Sequence, residues 1–175
     1  MQKPFLDIQA DGDLILDKRW RALQFYKDKD ELSQVTKLSV SYSDLEDIGE
    51  IICSSAQGVC LRSLEFLTAS NNLLPNLNPK ISLLANLEQL NISNNRLTSI
   101  SSFAPLVALK KLYYLDAQDN QIASVSEQEI EIVRPLLVQK VLVLLWGNPL
   151  DELSDRRWRN AYSRFYVGLD SRSDQ

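Results

Sequence analysis

The side chains that most often carry out chemistry are scarce in this chain, and their spacing restricts what chemistry is open to it. Among 175 residues there is no histidine. The commonest general base, the histidine metal ligands and every Ser-His or Cys-His nucleophile pair are therefore missing. Cys53 and Cys60, the two cysteines, are too few for a disulfide scaffold or a four-cysteine zinc site. A reduced, partly buried pair is the expectation, and a Cys53–Cys60 disulfide is the alternative. Carboxylates close in sequence, such as Asp13 and Asp17 or Glu129 and Glu131, have no nucleophile or metal-ligand spacing attached and read as surface charge. No glycine-rich phosphate loop, nucleophile elbow or metal motif is present. The chain therefore reads as a non-enzyme with no cofactor, no metal and no small-molecule substrate.

Two further patterns resemble functional signals. Arg156, Arg157, Arg159 and Arg164 interleave with Trp158 and Tyr162, as in an RNA-contacting element. Asp151, Glu152 and Asp155 blunt that field, and the solvated face of a cap helix is the simpler reading. Asn91-Ile92-Ser93 has the form of a glycosylation sequon, but Asn91 falls inside an expected strand, which argues against modification.

What does recur is asparagine. Asn72, Asn95, Asn120 and Asn148 each occupy position 9 of a 14-residue template that is apolar at positions 1, 4, 6, 11 and 14. Five copies start at Val35, Leu64, Leu87, Leu112 and Lys140, and the clearest is LEQLNISNNRLTSI, 87–100. Of the 25 apolar slots, 22 hold Leu, Ile or Val, although these residues make up only 51 of 175 in the chain, so the pattern is not chance. The exceptions are Ala69, Ala117 and Lys140, and Ser43 stands at position 9 of the first copy. Positions 4 and 6 alternate with polar residues, which makes a short strand with one buried face. Position 9 is where the chain turns away, and an Asn carboxamide can bond the otherwise unpaired backbone of its own and the neighbouring turn. No copy buries its apolar side alone, so the copies must stack into a curved parallel sheet.

With this template the chain resembles the leucine-rich-repeat proteins of the short, intracellular type. That group includes regulators of type-1 protein phosphatase, an axonemal dynein light chain and the A-prime protein of a spliceosomal snRNP. The resemblance covers roughly 35–153 and implies an α/β solenoid: a curved parallel sheet of about five repeats with N- and C-terminal caps. Three segments are expected: an N-terminal cap over 1–34 (hairpin and helix), repeats over 35–153, and a C-terminal cap helix and tail over 154–175. The first cap would hold a hairpin around Asp11-Gly12 and a helix presenting Trp20, Leu23 and Tyr26. In the last, Ser154 would cap a helix with Trp158, Tyr162 and Phe165 on one face. Between repeats, GEIICSSAQGVC suggests a helical turn or two seating Ile51, Ile52 and Cys53. Ser126-x-x-Glu129 is a capping box for a helix presenting Ile130, Val133 and Leu137, which Pro135 would kink or restart.

Composition is that of an ordinary globular chain, 45% apolar and 24% charged. A net charge of −4 argues against a surface wholly given to nucleic acid or anionic membrane. The start MQKPFLDIQADGD lacks the apolar stretch of a signal peptide, and no run approaches transmembrane length. A cytoplasmic or nuclear location with no membrane partner is the expectation.

A partner would meet positions 3, 5 and 7, which point out of the concave face. Position 3 reads Lys37, Phe66, Gln89, Tyr114, Leu142; position 5 reads Ser39, Thr68, Asn91, Asp116, Leu144; position 7 reads Ser41, Ser70, Ser93, Gln118, Trp146. The final row, Leu142, Leu144 and Trp146, is entirely apolar. Either the C-terminal helix folds over it as a lid, or it stays open as a binding hot spot, or the irregular fifth copy is out of register. The candidate partner-binding residues are Phe66, Tyr114, Asp116, Gln118, Leu142, Leu144 and Trp146. The expected function is that of an adaptor or scaffold subunit holding another protein in its concave face. The alternative is a subunit of an RNA–protein particle like the A-prime protein, with RNA contact secondary.

Overall fold

The computed structural model describes residues 13–15, 32, 34–55 and 58–164. The three-residue strands β1 (Asp13–Ile15), β2 (Lys37–Ser39), β5 (Phe66–Thr68), β6 (Gln89–Asn91), β7 (Tyr114–Asp116) and β8 (Leu142–Leu144) form one parallel sheet in that order. Pairing joins equivalent template positions: Leu38, Leu67, Leu90, Leu115 and Val143 lie side by side across five strands. All five are at most 5% exposed. Their neighbours on either side, at positions 3 and 5, remain partly exposed except for Asp116. The fifth copy is thus in register within its strand.

The return segments shorten or lengthen without disturbing this sheet. Two are 3-10 helices, Pro79–Leu83 and Ile100–Ala108, capped by the side chains of Asn78 and Ser99. One is the short helix α1 (Gly49–Ile52), which seats Ile51 and Ile52 in the core. An antiparallel hairpin that the sequence did not suggest follows it: β3 (Cys53–Ser54) and β4 (Val59–Cys60). Cys53 lies directly opposite Cys60, with Cα atoms 3.9 Å apart, and the two sulfurs are bonded. The expectation of reduced cysteines therefore fails, because a tight hairpin makes these residues cross-strand partners.

Helix α2 (Glu127–Val138) begins with the Ser126/Glu129 capping box and buries Ile130, Val133, Leu136 and Leu137. It runs through Pro135 rather than restarting there. Its end explains the odd fifth copy. The Lys140 amide donates to the Leu137 carbonyl and the Val141 amide to Leu136, both at 3.0 Å, with Lys140 at φ 63°. This is a Schellman stop. It leaves Lys140 exposed in the template's first position and gives the core slot to Val141, which is fully buried.

The last helix, α3 (Glu152–Ser163), is capped by Asp151, whose carboxylate accepts from the Ser154 amide at 2.7 Å. Ser154, the residue expected to cap, is instead buried, and its hydroxyl accepts from the Val125 amide at 2.8 Å. Because the helix starts earlier, Leu153 points outward, half exposed, and Trp158 and Ala161 fill the end of the core. At the other end, Asp13–Ile15 is a sixth parallel strand beside β2. The rest of the proposed N-terminal hairpin and helix, with Trp20, Leu23 and Tyr26, lies outside the described residues, as does Phe165.

Candidate functional site

Beneath the open face runs the asparagine ladder. In each rung the side-chain oxygen accepts from the position-11 amide of the preceding repeat: Leu45 to Asn72, Leu74 to Asn95, Leu97 to Asn120 and Ile122 to Asn148, at 3.0–3.1 Å. The side-chain nitrogen donates both to its own position-6 carbonyl and to that of the preceding repeat, at 3.0–3.1 Å. Just before each rung the backbone turns left-handed, at Asn71, Asn94, Asp119 and Gly147, with Tyr42 in the first copy, at φ 52–72°. The short-side-chain residues Asn, Asp and Gly tolerate this region best.

The seven candidate contact residues lie on this scaffold. Phe66 pairs with Lys37 and Gln89 in the position-3 row, and the Lys37 ammonium lies 6.0 Å from its ring centre. Tyr114 abuts Leu142, and Asp116 abuts Leu144, in adjoining strands. Asp116 is 8% exposed, and its carboxylate accepts from the Gln118 amide at 3.1 Å. Burial, and then the neighbouring Asp116 charge, push the Tyr114 hydroxyl above its ordinary value of 10.0. Leu142 and Leu144 are half-buried, whereas Trp146 is 69% exposed.

Among the described residues no helix covers this row. Helix α3 is tied elsewhere: the Asp151 amide bonds the Ala123 carbonyl, Ser154 takes the Val125 amide, and Arg157 pairs with Glu127 at the start of α2. It therefore packs beside α2 at the end of the array. The same contacts engage part of the basic–aromatic candidate and leave Arg156 and Arg164 exposed. Trp158 is buried, Tyr162 packs against it with ring centres 5.9 Å apart, and Arg159 pairs with Asp155. Asn91 uses its side-chain oxygen to accept from the amide and hydroxyl of Ser93. Tyr113, 47% exposed and adjoining Tyr114, adds an aromatic ring at the edge of the patch. It sits at position 2, which precedes the outward rows considered in the sequence.

Among the described residues no group of His, Cys, Asp and Glu could hold a metal ion, and no helix is long and apolar enough to cross a membrane.

The parallel sheet with one strand per repeat, and an asparagine rung in four of the five, is a leucine-rich-repeat solenoid. The family model for leucine-rich repeats in two copies matches residues 85–131. The chain is similar to the U2 small nuclear ribonucleoprotein A′ of Arabidopsis thaliana, with 31% identity over 83 residues. That match takes in 47% of this chain but only 33% of the relative. Among solved structures, the Drosophila melanogaster SNF/U2A′ complex contains a chain that superposes with a TM-score of 0.56 at 17% identity, covering 95% of this chain and 89% of that one. An internalin C2 from Listeria monocytogenes superposes with a TM-score of 0.52 at 24% identity, covering 71% and 47%. At these identities the two structures speak to fold alone.

Proposed function

We propose that the protein is a non-catalytic adaptor, a subunit that holds a protein partner against the C-terminal half of its concave face. Trp146, Leu144, Leu142 and Tyr114 are the anchors, with Phe66, Asp116 and Gln118 as flanking contacts. The observation that carries this reading is the exposure of Trp146, 69%, at the end of an apolar row. In the same column the earlier repeats carry Ser41, Ser70 and Ser93. Folding needs no tryptophan there, and aromatic side chains dominate binding energy when a partner buries them.

The similarity to the U2 small nuclear ribonucleoprotein A′ favours one setting for this adaptor, a subunit of an RNA–protein particle in the nucleus. RNA contact would then be secondary to the protein contact.

The test is Trp146→Ala, read by melting temperature and by recovery of partners from the native organism. Removing an exposed ring should change stability by less than about 0.5 kcal/mol and weaken partner binding by about 2 kcal/mol or more. A partner retained in full by the variant would exclude the anchor role. Loss of the partner on ribonuclease treatment, with Trp146 intact, would instead make RNA the primary contact.

A further inference from the structure

The corners that lead into the strands change in charge along the array, and the change coincides with the apolar row. Where repeats two and three enter the sheet, Arg62 is accompanied by Glu65, and Asn86 by Glu88. Where repeats four and five enter, the residues are Lys110, Lys111, Tyr113 and Lys140, with no carboxylate at the equivalent position 2. All four are exposed. Among the described residues none of the three lysines forms an ion pair, although the chain as a whole carries −4.

Hydrogen bonds knit these corners into one edge. The Asn86 amide donates to the Arg62 carbonyl at 2.9 Å, and the Lys111 ammonium donates to the Asn86 side-chain oxygen at 2.8 Å. The Gln139 side chain donates to the carbonyls of Leu109 and Leu112, both at 2.8 Å, which ties the segment carrying Lys140 to the corner carrying Lys110 and Lys111. The edge continues directly into the open face: the Leu142 amide bonds the Tyr113 carbonyl at 2.8 Å, and Leu142 lies beside Tyr114. On the opposite edge of the same two repeats stands exposed Asp119, its side chain packed against Gly147.

The geometry points to an acidic, apolar segment of a protein as the occupant. Its aliphatic or aromatic side chains would lie on Leu142, Leu144 and Trp146, and its carboxylates would meet Lys110, Lys111 and Lys140. This inference rests on the concave-face reading above and adds to it the charge of the partner and its direction across the sheet. Apolar anchors bordered by a rim of unpaired charge are the anatomy of a protein interface. Three lysines on an otherwise acidic chain fit a short acidic segment better than a long polyanion.

The probe is a displayed library of random peptides, selected on the immobilised full chain, with the best sequence then synthesised and titrated by fluorescence anisotropy. Enrichment of Asp or Glu together with Leu, Phe or Trp is expected. Combined K110E, K111E and K140E should weaken the selected peptide about tenfold, and Trp146→Ala about thirtyfold. Raising the salt concentration should weaken the wild-type complex and leave the lysine variant nearly unchanged. The lysines are exposed and, among the described residues, make single hydrogen bonds to Val107 and Asn86 but no ion pair, so that variant should stay folded with its melting temperature only slightly lowered.

Apolar peptides that need Trp146 but ignore the lysines would overturn this inference and leave the concave-face reading standing. Peptides indifferent to Trp146→Ala would overturn both. Failure to enrich any peptide overturns the inference, as does lysine-dependent binding of a labelled single-stranded RNA tighter than that of the peptide.

Discussion

At Asn95 one carboxamide meets four backbone groups: it accepts from the Leu74 amide and donates to the carbonyls of Ala69, Ile92 and Ser93, all within 3.0–3.2 Å. The group is 6% exposed, so water cannot replace those partners. Asn95→Ala should therefore cost about 1–3 kcal/mol, the penalty for unpaired buried polar groups. Its neighbours make a built-in comparison. Leu90 is fully buried, and Leu90→Ala should cost about 2–5 kcal/mol through the cavity it leaves. Asn91, one residue on, faces outward, and its side chain accepts from the Ser93 amide and hydroxyl. Asn91→Ala should cost about 1 kcal/mol or less. Chemical denaturation of the three variants checks the order, and equal midpoints would mean that inward and outward positions are wrongly assigned. The asparagine spacing was legible in the sequence, as was the type of bond a carboxamide makes at a turn. The bond to a neighbouring turn was legible too; that the neighbour is the preceding repeat was not, because those partners are 21–32 residues away in the chain.

Among the elements, α2 makes two predictions, one at each end. At its start Ser126 and Glu129 bond reciprocally, and Ser99 from the preceding repeat also donates to Glu129. Partial burial pushes the Glu129 carboxyl up, but the hydrogen bonds from Ser99, Ser126 and Ser101 outweigh it and hold the group below its ordinary 4.5. A carboxyl with a lowered folded value stabilises above its unfolded value and loses that contribution as pH falls through the folded one. Melting temperature should therefore decline from pH 4.5 downward, and Glu129→Gln should remove part of that decline. At neutral pH the substitution should cost about 0.5–1 kcal/mol, in the range of a lost cap on a partly exposed helix end. At the other end Lys140 holds a left-handed conformation as the helix stop. Lys140→Gly removes the side-chain clash and should stabilise by about 1 kcal/mol, read as a rise in melting temperature. The capping box was visible as Ser-x-x-Glu. The Schellman stop was hidden, because the template assigned Lys140 to a core slot that Val141 fills.

For the molecule as a whole, stability depends on how the open end of the stack is closed. The buried tryptophan of α3, Trp158, is 7% exposed and packs over the last repeat with Ala161. Trp158→Ala should cost about 3–5 kcal/mol, far more than Trp146→Ala at the exposed end of β8. Thermal melts of the two variants, with tryptophan fluorescence quenching by acrylamide, would show it. Equal losses would mean that Trp146 is also part of the packed end.

The repeating architecture was written in the sequence, because it rests on a local period. Leu, Ile or Val at positions 4 and 6, with Asn at 9, gives the same strand and turn each time, and stacking joins equivalent positions. What lay outside that period required the tertiary structure. The Cys53–Cys60 bond depends on a hairpin inserted between repeats. Asp151 takes the cap and Ser154 goes inward because the Val125 amide, 29 residues earlier, needs an acceptor. For the same reason the openness of Trp146 could not be read from its own neighbourhood. It depends on where α3 finds its partners, at Ala123, Val125 and Glu127, and these lead the helix away from the row.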